Sequence, residues 1–569
     1  MGIRRRTMTW IATLAMAGLM FSGCTSNGDV NNELDPSVKP SQTPAASPTV
    51  TPVKETFGEP QIVDYNLGAS EIVQATGWKV PYTVKGTLGV PTGTRKRPVV
   101  FVFHGNHPIK KYDTDRYDQG FTYLVRDLAR QGYLTVSVDV NAHYVWEHGE
   151  PIEHERFNAI MQTQLKAFKR ALQGEDAGYG VSLKGRGDLE RVSVIGHSRS
   201  GQLTHAMAEL VSADADMKLE GIVMAAPIQF FTMKTPFPDV PVGIIIPQYD
   251  GDVVSLDGQR SYDREAIRQD RKSPVSLVYL YGANHNYFNS KLEGKDDGIG
   301  PSKENDNLQE RLTAEEQRQF LSSYAVDFLE SVAPGGGKGF WNTTAEAVSS
   351  GPNVGMLYGH PVLQSTYLPG TQYIMNSARD GEKPLDGSEE IVPSTDVKLK
   401  YVTDSYIPNE DETGGFRHPG DPEKLELLSV RWTKRGGALQ MKAPASIEQP
   451  LKGSALTLYI AADSADTLNA QGVHPAFTVK LTDTKGGKSS YTLPANTPAT
   501  RLQPGKLLEN EYIKYWSTFT PLSTLRIPLM EFEGADQLGD LKSVTLTFDQ
   551  TDSGALMIGN VGIEKELTP

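Results

Sequence analysis

Ser198 lies at the centre of the sequence GHSRSG, residues 196–201, between an apolar β-branched run and a stretch with helical character. The preceding run RVSVI predicts a short buried strand, and the following QLTHAMAELV predicts a helix. A serine at such a strand-to-helix turn, a nucleophile elbow, presents its hydroxyl for attack on a substrate. The turn needs small residues two positions before and after the serine; Gly196 fits, and Ser200 stands where glycine is usual. A plain turn with a capping serine is the alternative.

Two carboxylates and a histidine follow later apolar strands, each where the strand ends. Asp250 and Asp252 lie in YDGDVV after VPVGIII, and His285 lies in GANHN after SLVYLY. A serine hydroxyl is a weak nucleophile at neutral pH, so a histidine must take its proton and a carboxylate must orient the imidazole. We expect His285 to be the general base. Asp250 is the preferred acid because Val253 completes a D-x-x-V pattern common at this turn, and Asp252 is the alternative acid.

The apolar run RPVVFVF ends at a histidine–glycine step, residues 104–106. The segments HGNHP, GHSRSG, DGDVV and GANHN together resemble the secreted α/β-hydrolases of the esterase, lipase and cutinase type, over residues 57–332. In that family the serine, acid and histidine follow in the order found here. The resemblance implies an acyl-serine mechanism without a cofactor. It also implies that Ser198 is the nucleophile and that the backbone N–H groups of Asn106 and Arg199 form the oxyanion hole.

The predicted function is therefore an extracytoplasmic serine hydrolase that cleaves carboxylic esters. Two alternatives stay open: a serine peptidase on the same fold, and a catalytically inactive scaffold that binds at the cell surface. The chain has no propeller-like repeat, which argues against a peptidase of the prolyl oligopeptidase kind. The intact serine, acid and histidine argue against an inactive scaffold. Fold alone names no substrate, so neither acyl nor alcohol specificity is predicted.

Strands that alternate with helices must position these residues. Continuous apolar runs are typical of parallel strands covered on both faces, and right-handed crossovers bring the carboxyl ends of such strands to one edge. We therefore predict a doubly wound, mostly parallel α/β-hydrolase sheet over residues 57–333. The runs that support it are RPVVFVF, YLTVSVDV, RVSVI, GIVMAA, VPVGIII and SLVYLY.

The sequence changes character after this predicted domain. Residues 334–396 have few clear elements and are predicted to be a connecting segment. Short alternating strands separated by Gly, Asp, Asn and Pro then predict a β-sandwich of jelly-roll-like topology over residues 397–569. This β-sandwich could bind a polysaccharide or the cell wall, or it could have a purely structural role, and the sequence leaves both alternatives open. We expect a chain that ends near Pro334 to fold and to hydrolyse small esters, provided that the two cores are independent.

The N-terminus resembles a bacterial lipoprotein signal. Three arginines precede a short apolar stretch that ends at Cys24, the only cysteine, and the stretch is too short for a comfortable membrane span. We expect residues 1–24 to be a signal peptide whose Cys24 is lipidated. Residues 25–56 are rich in Pro, Ser and Thr and are predicted to be a disordered tether. The predicted location is the bacterial cell surface, with a lipid anchor in the membrane; an ordinary signal peptide is the alternative.

Composition restricts the partners and the chemistry. The chain has 569 residues, a net charge of −13 and no long basic run beyond its N-terminus, which argues against nucleic acid as a partner. Residues 141–155 contain several histidines and glutamates, but they lack the HExxH spacing, so no metal site is expected. We expect that segment to line the substrate cleft, with Tyr144 or Trp146 as an apolar wall and with Phe230 and Phe231 at its border.

Overall fold

The computed structural model describes most of the chain beyond residue 57. Cys24, Trp146, Phe230 and Phe231 fall outside the described residues, as does the predicted signal and tether segment. The described residues are 58–73, 75, 77, 79–107, 114–144, 152–228, 236–253, 255–266, 268, 270–293, 311–336, 340–341, 355–376, 391–403, 426–445, 447, 454–464, 466–469, 473–502 and 520–565.

A mixed ten-stranded sheet organises residues 61–367. Its strands lie in the order β1-β2-β4-β3-β5-β6-β7-β8-β10-β9, and the six from β4 to β8 are parallel. The strands are β1 (Gln61–Val73), β2 (Lys79–Val90), β3 (Arg97–Phe103), β4 (Leu134–Val138), β5 (Gly187–His197), β6 (Leu219–Ala225), β7 (Val242–Tyr249), β8 (Val275–Asn284), β9 (Met356–Leu357) and β10 (His360–Tyr367). The prediction of a mostly parallel α/β sheet is thus confirmed. The structure adds two antiparallel strands at each edge of the sheet.

Helices cover both faces of this sheet. They are α1 (Thr122–Arg130), α2 (Asn141–Tyr144), α3 (Ile152–Gln173), α4 (Ser200–Ser212), α5 (Asp257–Ala266) and α6 (Ala314–Val332). The side chains of β3 pack alternately on the two faces of the sheet, since successive residues of a strand point to opposite faces. Val99, Phe101 and Phe103 pack in the apolar cluster that includes α3 and α4. Val100 and Val102 pack in the cluster that includes α1 and α6. No described helix is long and apolar enough to cross a membrane.

The outer strand β1 is irregular. Its pairing with β2 shifts register between Asn66 and Ala69, and Gly68 between them has a φ of 99°. That value lies in the left-handed region, which glycine enters without steric cost. Most of the side chains of β1 are exposed or half-buried.

Residues 334–396, expected to be a connecting segment, contain strands of their own. Some of these strands belong to the ten-stranded sheet and others to the C-terminal sheets. Strand β10 pairs antiparallel with β8, from Val362 opposite Leu280 to Tyr367 opposite Val275. The strands β11 (Gln372–Asn376) and β12 (Ile391–Pro393) follow and belong to the C-terminal sheets. The sequence pattern missed β10 because its apolar residues are few, and its pairing with β8 rather than its own periodicity defines it as a strand.

The C-terminal residues form two antiparallel sheets around one shared apolar core. One sheet has the order β13-β14-β21-β16-β19, with β11 also paired to β21, and the other has the order β12-β15-β20-β17-β18. Trp432 and Phe548, one from each sheet, stack with ring centroids 4.3 Å apart. The strands are β13 (Val397–Thr403), β14 (Glu426–Trp432), β15 (Gly437–Lys442), β16 (Ser454–Ala462), β17 (Thr478–Asp483), β18 (Lys488–Thr492), β19 (Ser523–Pro528), β20 (Leu541–Phe548) and β21 (Gly554–Lys565). Jelly-roll topology stays a prediction.

The two-sheet region packs on helix α5 of the α/β part, within one compact unit of residues 56–569. Leu427 and Met557 belong to the same buried apolar cluster as the strands of the α/β sheet. The hydroxyl of Tyr459 in β16 donates to Asp263 Oδ1 at 2.7 Å and accepts from Gln259 Nε2 at 2.6 Å. Helix α5 is therefore buried although most of its residues are polar.

Candidate active site

Ser198 lies between the end of β5 and the start of α4, at the strand-to-helix turn that the sequence predicts. Its φ is +58°, in the left-handed region that a residue with a side chain enters only under strain. The turn is held by its own backbone, because Ser198 N–H donates to Ala225 O at 2.9 Å and Gly201 N–H donates to Ser198 O at 2.9 Å. A Cβ added at Gly196 would lie 2.4 Å from the carbonyl oxygen of Ser200, so only glycine fits there.

Ser200, the departure from the usual glycine, is fully buried and has a structural partner. Its hydroxyl donates to the carbonyl oxygen of His104 and lies 2.8 Å from the hydroxyl of Tyr144. Tyr144 OH also donates to His104 O, at 3.0 Å. The serine side chain therefore ties the turn to the loop after β3. Tyr144, expected to line the cleft, is instead buried beneath that loop, because its hydroxyl takes part in this network.

Asp250, His285 and Ser198 form a continuous hydrogen-bonded chain. His285 Nε2 lies 2.9 Å from Ser198 Oγ, and His285 Nδ1 lies 3.0 Å from Asp250 Oδ2. All three side chains are almost completely buried. Because Nδ1 faces a carboxylate, the hydrogen-bond network assigns the proton to Nδ1 and leaves Nε2 free to accept from the serine hydroxyl. Backbone N–H groups of Asp252 and Val253 hold Asp250 Oδ1, at 3.1 and 2.6 Å.

Asp252 lies at the other nitrogen of the imidazole. Its Oδ2 is 3.4 Å from His285 Nε2, and 46 % of its side chain is exposed. Of the two candidate acids, Asp250 therefore occupies the position that orients Nδ1. Asp252 instead faces the side of the ring where Ser198 lies.

The histidine–glycine step after β3 brings a backbone loop against the serine. A Cβ at Gly105 would lie 2.6 Å from Ser198 Cβ, so the approach depends on glycine. The ring of His104 holds this loop: Nε2 accepts from Val140 N–H at 3.0 Å, and Nδ1 donates to Gly105 O at 2.8 Å. Because the N–H and C=O of one peptide unit point in opposite directions, fixing Gly105 O also fixes the direction of Asn106 N–H.

The two expected oxyanion donors are chain neighbours of groups at the site: Asn106 follows Gly105, which approaches Ser198, and Arg199 follows Ser198 itself. Asn106 is half-buried, and within the described part of the chain no acceptor is bonded to its N–H. Arg199 is the residue from which α4 begins, so its N–H stands at a helix N-terminus. Such termini favour negative charge. The arrangement can stabilise an oxyanion that forms next to Ser198.

His197 and Gln317 hold the loop that carries His285, and neither is among the site residues predicted from the sequence. His197 Nε2 donates to the carbonyl oxygen of His285 at 2.9 Å. Burial, and secondarily the neighbouring His285, lower the pKa of His197 to about 3, so its ring stays neutral. Gln317 of α6 accepts from Asn284 N–H at 3.0 Å and donates to Asn284 O at 2.6 Å. The position of His197 next to Ser198 in the sequence could have indicated that it belongs to the site. Nothing in the sequence around Gln317 indicates its contact with Asn284.

Two further histidines near the site contact residues outside the chain of Asp250, His285 and Ser198. His107 is buried, with its ring centroid 4.8 Å from that of Tyr117. His154 lies 3.2 Å from Glu209 on α4. Within the described residues, no group of three or more His, Cys, Asp or Glu side chains is arranged to hold a metal ion.

Comparisons with known proteins found limited similarity. No family model and no curated protein matches the chain. Among solved structures, the chain is similar to a hyperthermophilic esterase from the archaeon Pyrobaculum calidifontis, at 17 % identity and a TM-score of 0.30, over 48 % of this chain and 87 % of that one. It is also similar to EstE1, a thermostable carboxylesterase from a metagenomic library, at 15 % identity and a TM-score of 0.31, over 49 % and 92 %. Both likenesses are confined to about half of this chain.

Proposed function

We propose that this protein is a serine hydrolase that cleaves carboxylic esters through an acyl-serine intermediate. The observation that carries the proposal is the hydrogen-bonded chain from Asp250 through His285 to Ser198. It joins three strand ends of one sheet in the geometry that activates a serine hydroxyl.

In the first half-reaction, Ser198 Oγ attacks the ester carbonyl carbon while His285 Nε2 takes its proton. Asp250 holds the imidazole in the required tautomer and stabilises the imidazolium that forms. The carbonyl oxygen becomes an oxyanion beside the N–H groups of Asn106 and Arg199; removal of one such donor typically costs about 3 kcal/mol of transition-state stabilisation. The tetrahedral intermediate then collapses, the carbon–oxygen bond to the alcohol breaks, and His285 gives its proton to the leaving oxygen.

In the second half-reaction, a water molecule takes the place of the alcohol. His285 Nε2 removes a proton from the water, which attacks the acyl-serine carbonyl carbon. The second tetrahedral intermediate expels Ser198 Oγ, which takes the proton back from His285. The products are a carboxylic acid and the free serine.

Hydrolysis of p-nitrophenyl esters with acyl chains of graded length, measured beside peptide p-nitroanilides, tests the reaction class. We expect turnover of the esters, and kcat in Ser198→Ala lower by roughly a million-fold, as in knockouts of a triad serine. A fluorophosphonate probe should label the parent protein and not this variant. Ser212→Ala, at an exposed position of the same helix, is the matched control. Hydrolysis of the anilides alone, or equal labelling of Ser198→Ala, would contradict the proposal.

We also propose that the protein is exported and anchored through a lipid on Cys24. The support is the arginine-led apolar stretch that ends at this single cysteine. Cys24→Ala should move the protein out of the membrane fraction, and equal retention there would contradict the anchor. Contact of residues 397–569 with cell-wall polysaccharide stays a prediction, which co-sedimentation with isolated cell walls tests.

A further inference from the structure

We propose that Asp252 selects the alcohol part of the substrate, and that the protein favours esters of alcohols that carry a second hydroxyl close to the ester oxygen. The inference rests on the proposed ester hydrolysis and names the substrate class of that site. Its basis is the position of a second carboxylate at the reacting nitrogen of His285.

The two carboxylates of this loop face different nitrogens of one imidazole. Asp250 lies at Nδ1 and is buried, whereas Asp252 Oδ2 lies 3.4 Å from Nε2 and is partly open to solvent. The N–H of Asp252 donates to Asp250 Oδ1 at 3.1 Å, which fixes its backbone relative to the buried acid. Within the described residues, no Lys or Arg side chain lies within 4.0 Å of the Asp252 carboxylate.

Nε2 is the atom that gives its proton to the leaving alcohol, so the leaving oxygen must come within about 3 Å of it. The Asp252 carboxylate lies beside the same nitrogen. An alcohol that binds here therefore places its first carbons close to Asp252. A hydroxyl on the neighbouring carbon can donate to Asp252. An alkyl group at the same place displaces water from this carboxylate and offers no hydrogen-bond donor to replace it. Leaving a charged acceptor without a partner disfavours the alkyl ester.

The experiment compares two esters of the same acid, 2-hydroxyethyl butyrate and propyl butyrate, which differ by a hydroxyl in place of a methyl group. The ratio of their kcat/KM values, measured by titration of the released acid, should favour the hydroxyethyl ester in the parent protein. In Asp252→Leu the ratio should fall about tenfold or more, because a hydrogen bond to a charged group is lost. Asp252→Asn should keep part of the preference for the hydroxyethyl ester, since its amide oxygen still accepts from a hydroxyl although it carries no charge.

Two controls separate this role from other effects. Asp552→Asn removes a negative charge from a side chain that is 90 % exposed, in the two-sheet region, and should leave the ratio unchanged. Butyrylcholine has a cationic alcohol part without a donor. A loss confined to this ester in Asp252→Asn and Asp252→Leu would show selection by charge and would overturn the hydroxyl assignment.

An unchanged ratio in Asp252→Leu, or an equal loss on both butyrates, would overturn the selective role while the proposed ester hydrolysis stands. Fluorophosphonate labelling of Ser198 in each variant shows that the site is folded when the ratio is measured. If the parent protein hydrolyses none of these esters and its Ser198 is not labelled, the proposed function itself fails.

Discussion

The hydroxyl of Ser200 donates to the carbonyl oxygen of His104, so the turn that carries Ser198 is tied to the loop that carries Asn106. The two segments come from different strands, β5 and β3, which are neighbours in the sheet. One small side chain thus links the nucleophile to one of its proposed oxyanion donors. A glycine at this position would leave the same turn without that link.

We predict that Ser200→Ala keeps the fold and weakens catalysis. Loss of one buried hydrogen bond should cost about 1 kcal/mol of stability, and Tyr144 OH still donates to the same carbonyl oxygen. kcat for a p-nitrophenyl ester should fall about tenfold, because the loop with Asn106 is less well fixed. Thermal unfolding and steady-state kinetics measure the two effects, and Ser212→Ala is again the control. If kcat in Ser200→Ala equals that of the parent, the tie has no catalytic role.

The two candidate acids should differ strongly in their effect on kcat. Asp250→Asn should lower kcat by about 10⁴-fold, because an amide at Nδ1 favours the wrong imidazole tautomer. Asp252→Asn should lower kcat for the same p-nitrophenyl ester by less than about tenfold, since a partly exposed charge contributes little. The same kinetic assay on both variants checks this. A larger loss of kcat in Asp252→Asn than in Asp250→Asn would make Asp252 the triad acid, which is the alternative that the sequence leaves open.

His205 should make the fold sensitive to acid. Burial, followed by the nearby charges of Arg264 and His154, lowers its pKa to about 3, and its ring stacks on Phe237 with centroids 3.7 Å apart. An unfolded histidine, with a pKa of about 6.5, binds a proton that the folded one rejects. The stability contributed by neutral His205 is therefore complete above pH 6.5 and is lost as the pH falls towards 3.

The measurement is the melting temperature at pH 8 and pH 5 of the parent protein and of His205→Gln. We expect a smaller drop between the two pH values in the variant, although it is less stable at pH 8 because the stacking is lost. His360→Gln, which replaces a half-buried histidine of β10, is the control. An equal drop in the parent and in His205→Gln would assign the acid sensitivity to other groups.

A chain that ends at Pro334 should not behave as an independent enzyme. It lacks β10, so the backbone of β8, which leads to His285, becomes an unpaired edge. The truncation also exposes α5 and the apolar residues of the α/β part that pack in one cluster with Leu427 and Met557. We expect aggregation, seen by light scattering, and loss of ester hydrolysis. A soluble fragment with full activity would restore the expectation from the sequence that the two parts are independent.

Tyr459→Phe tests the same contact without truncation. It removes the hydroxyl that bonds to Asp263 and Gln259, and an unsatisfied buried group typically costs about 1–3 kcal/mol. The midpoint of urea unfolding should fall, while kcat at 25 °C should change little, because the triad residues keep their own contacts. An unchanged midpoint would mean that water or a neighbouring group replaces the hydroxyl.

The arrangement of Ser198, Asp250 and His285 could be predicted because their chemistry depends on local sequence. Each follows a run of mostly apolar residues, and parallel strands bring such ends to one edge of a sheet. The residues favour Asp250 through the D-x-x-V pattern but leave Asp252 open, because both lie in the same short turn. Which nitrogen each carboxylate faces depends on the fold of that turn, in which Asp250 accepts from the next backbone N–H groups.

Contacts between distant segments were beyond the reach of the sequence pattern. Strand β10 is defined by its partner β8, about 80 residues earlier in the chain. The polar helix α5 gives a pattern typical of a solvated surface, yet it is buried under the two-sheet region, whose Tyr459 bonds to its Asp263 and Gln259. Ser200 looked like a tolerated departure from glycine, since its partner His104 is 96 residues away.

The two edges of the ten-stranded sheet have a consequence for self-association. At one edge, the register shift of β1 at Gly68 interrupts the row of backbone groups that a second copy would have to match. At the other edge, the two-residue strand β9 pairs only with His360 and Pro361 of β10, and further along β10 the N–H of Thr366 donates to Thr524 Oγ1 of the two-sheet region at 3.2 Å. Continuous sheet extension from one molecule to the next is thus disfavoured at both ends. Any dimer of this protein is expected to form through its helices or its two-sheet region.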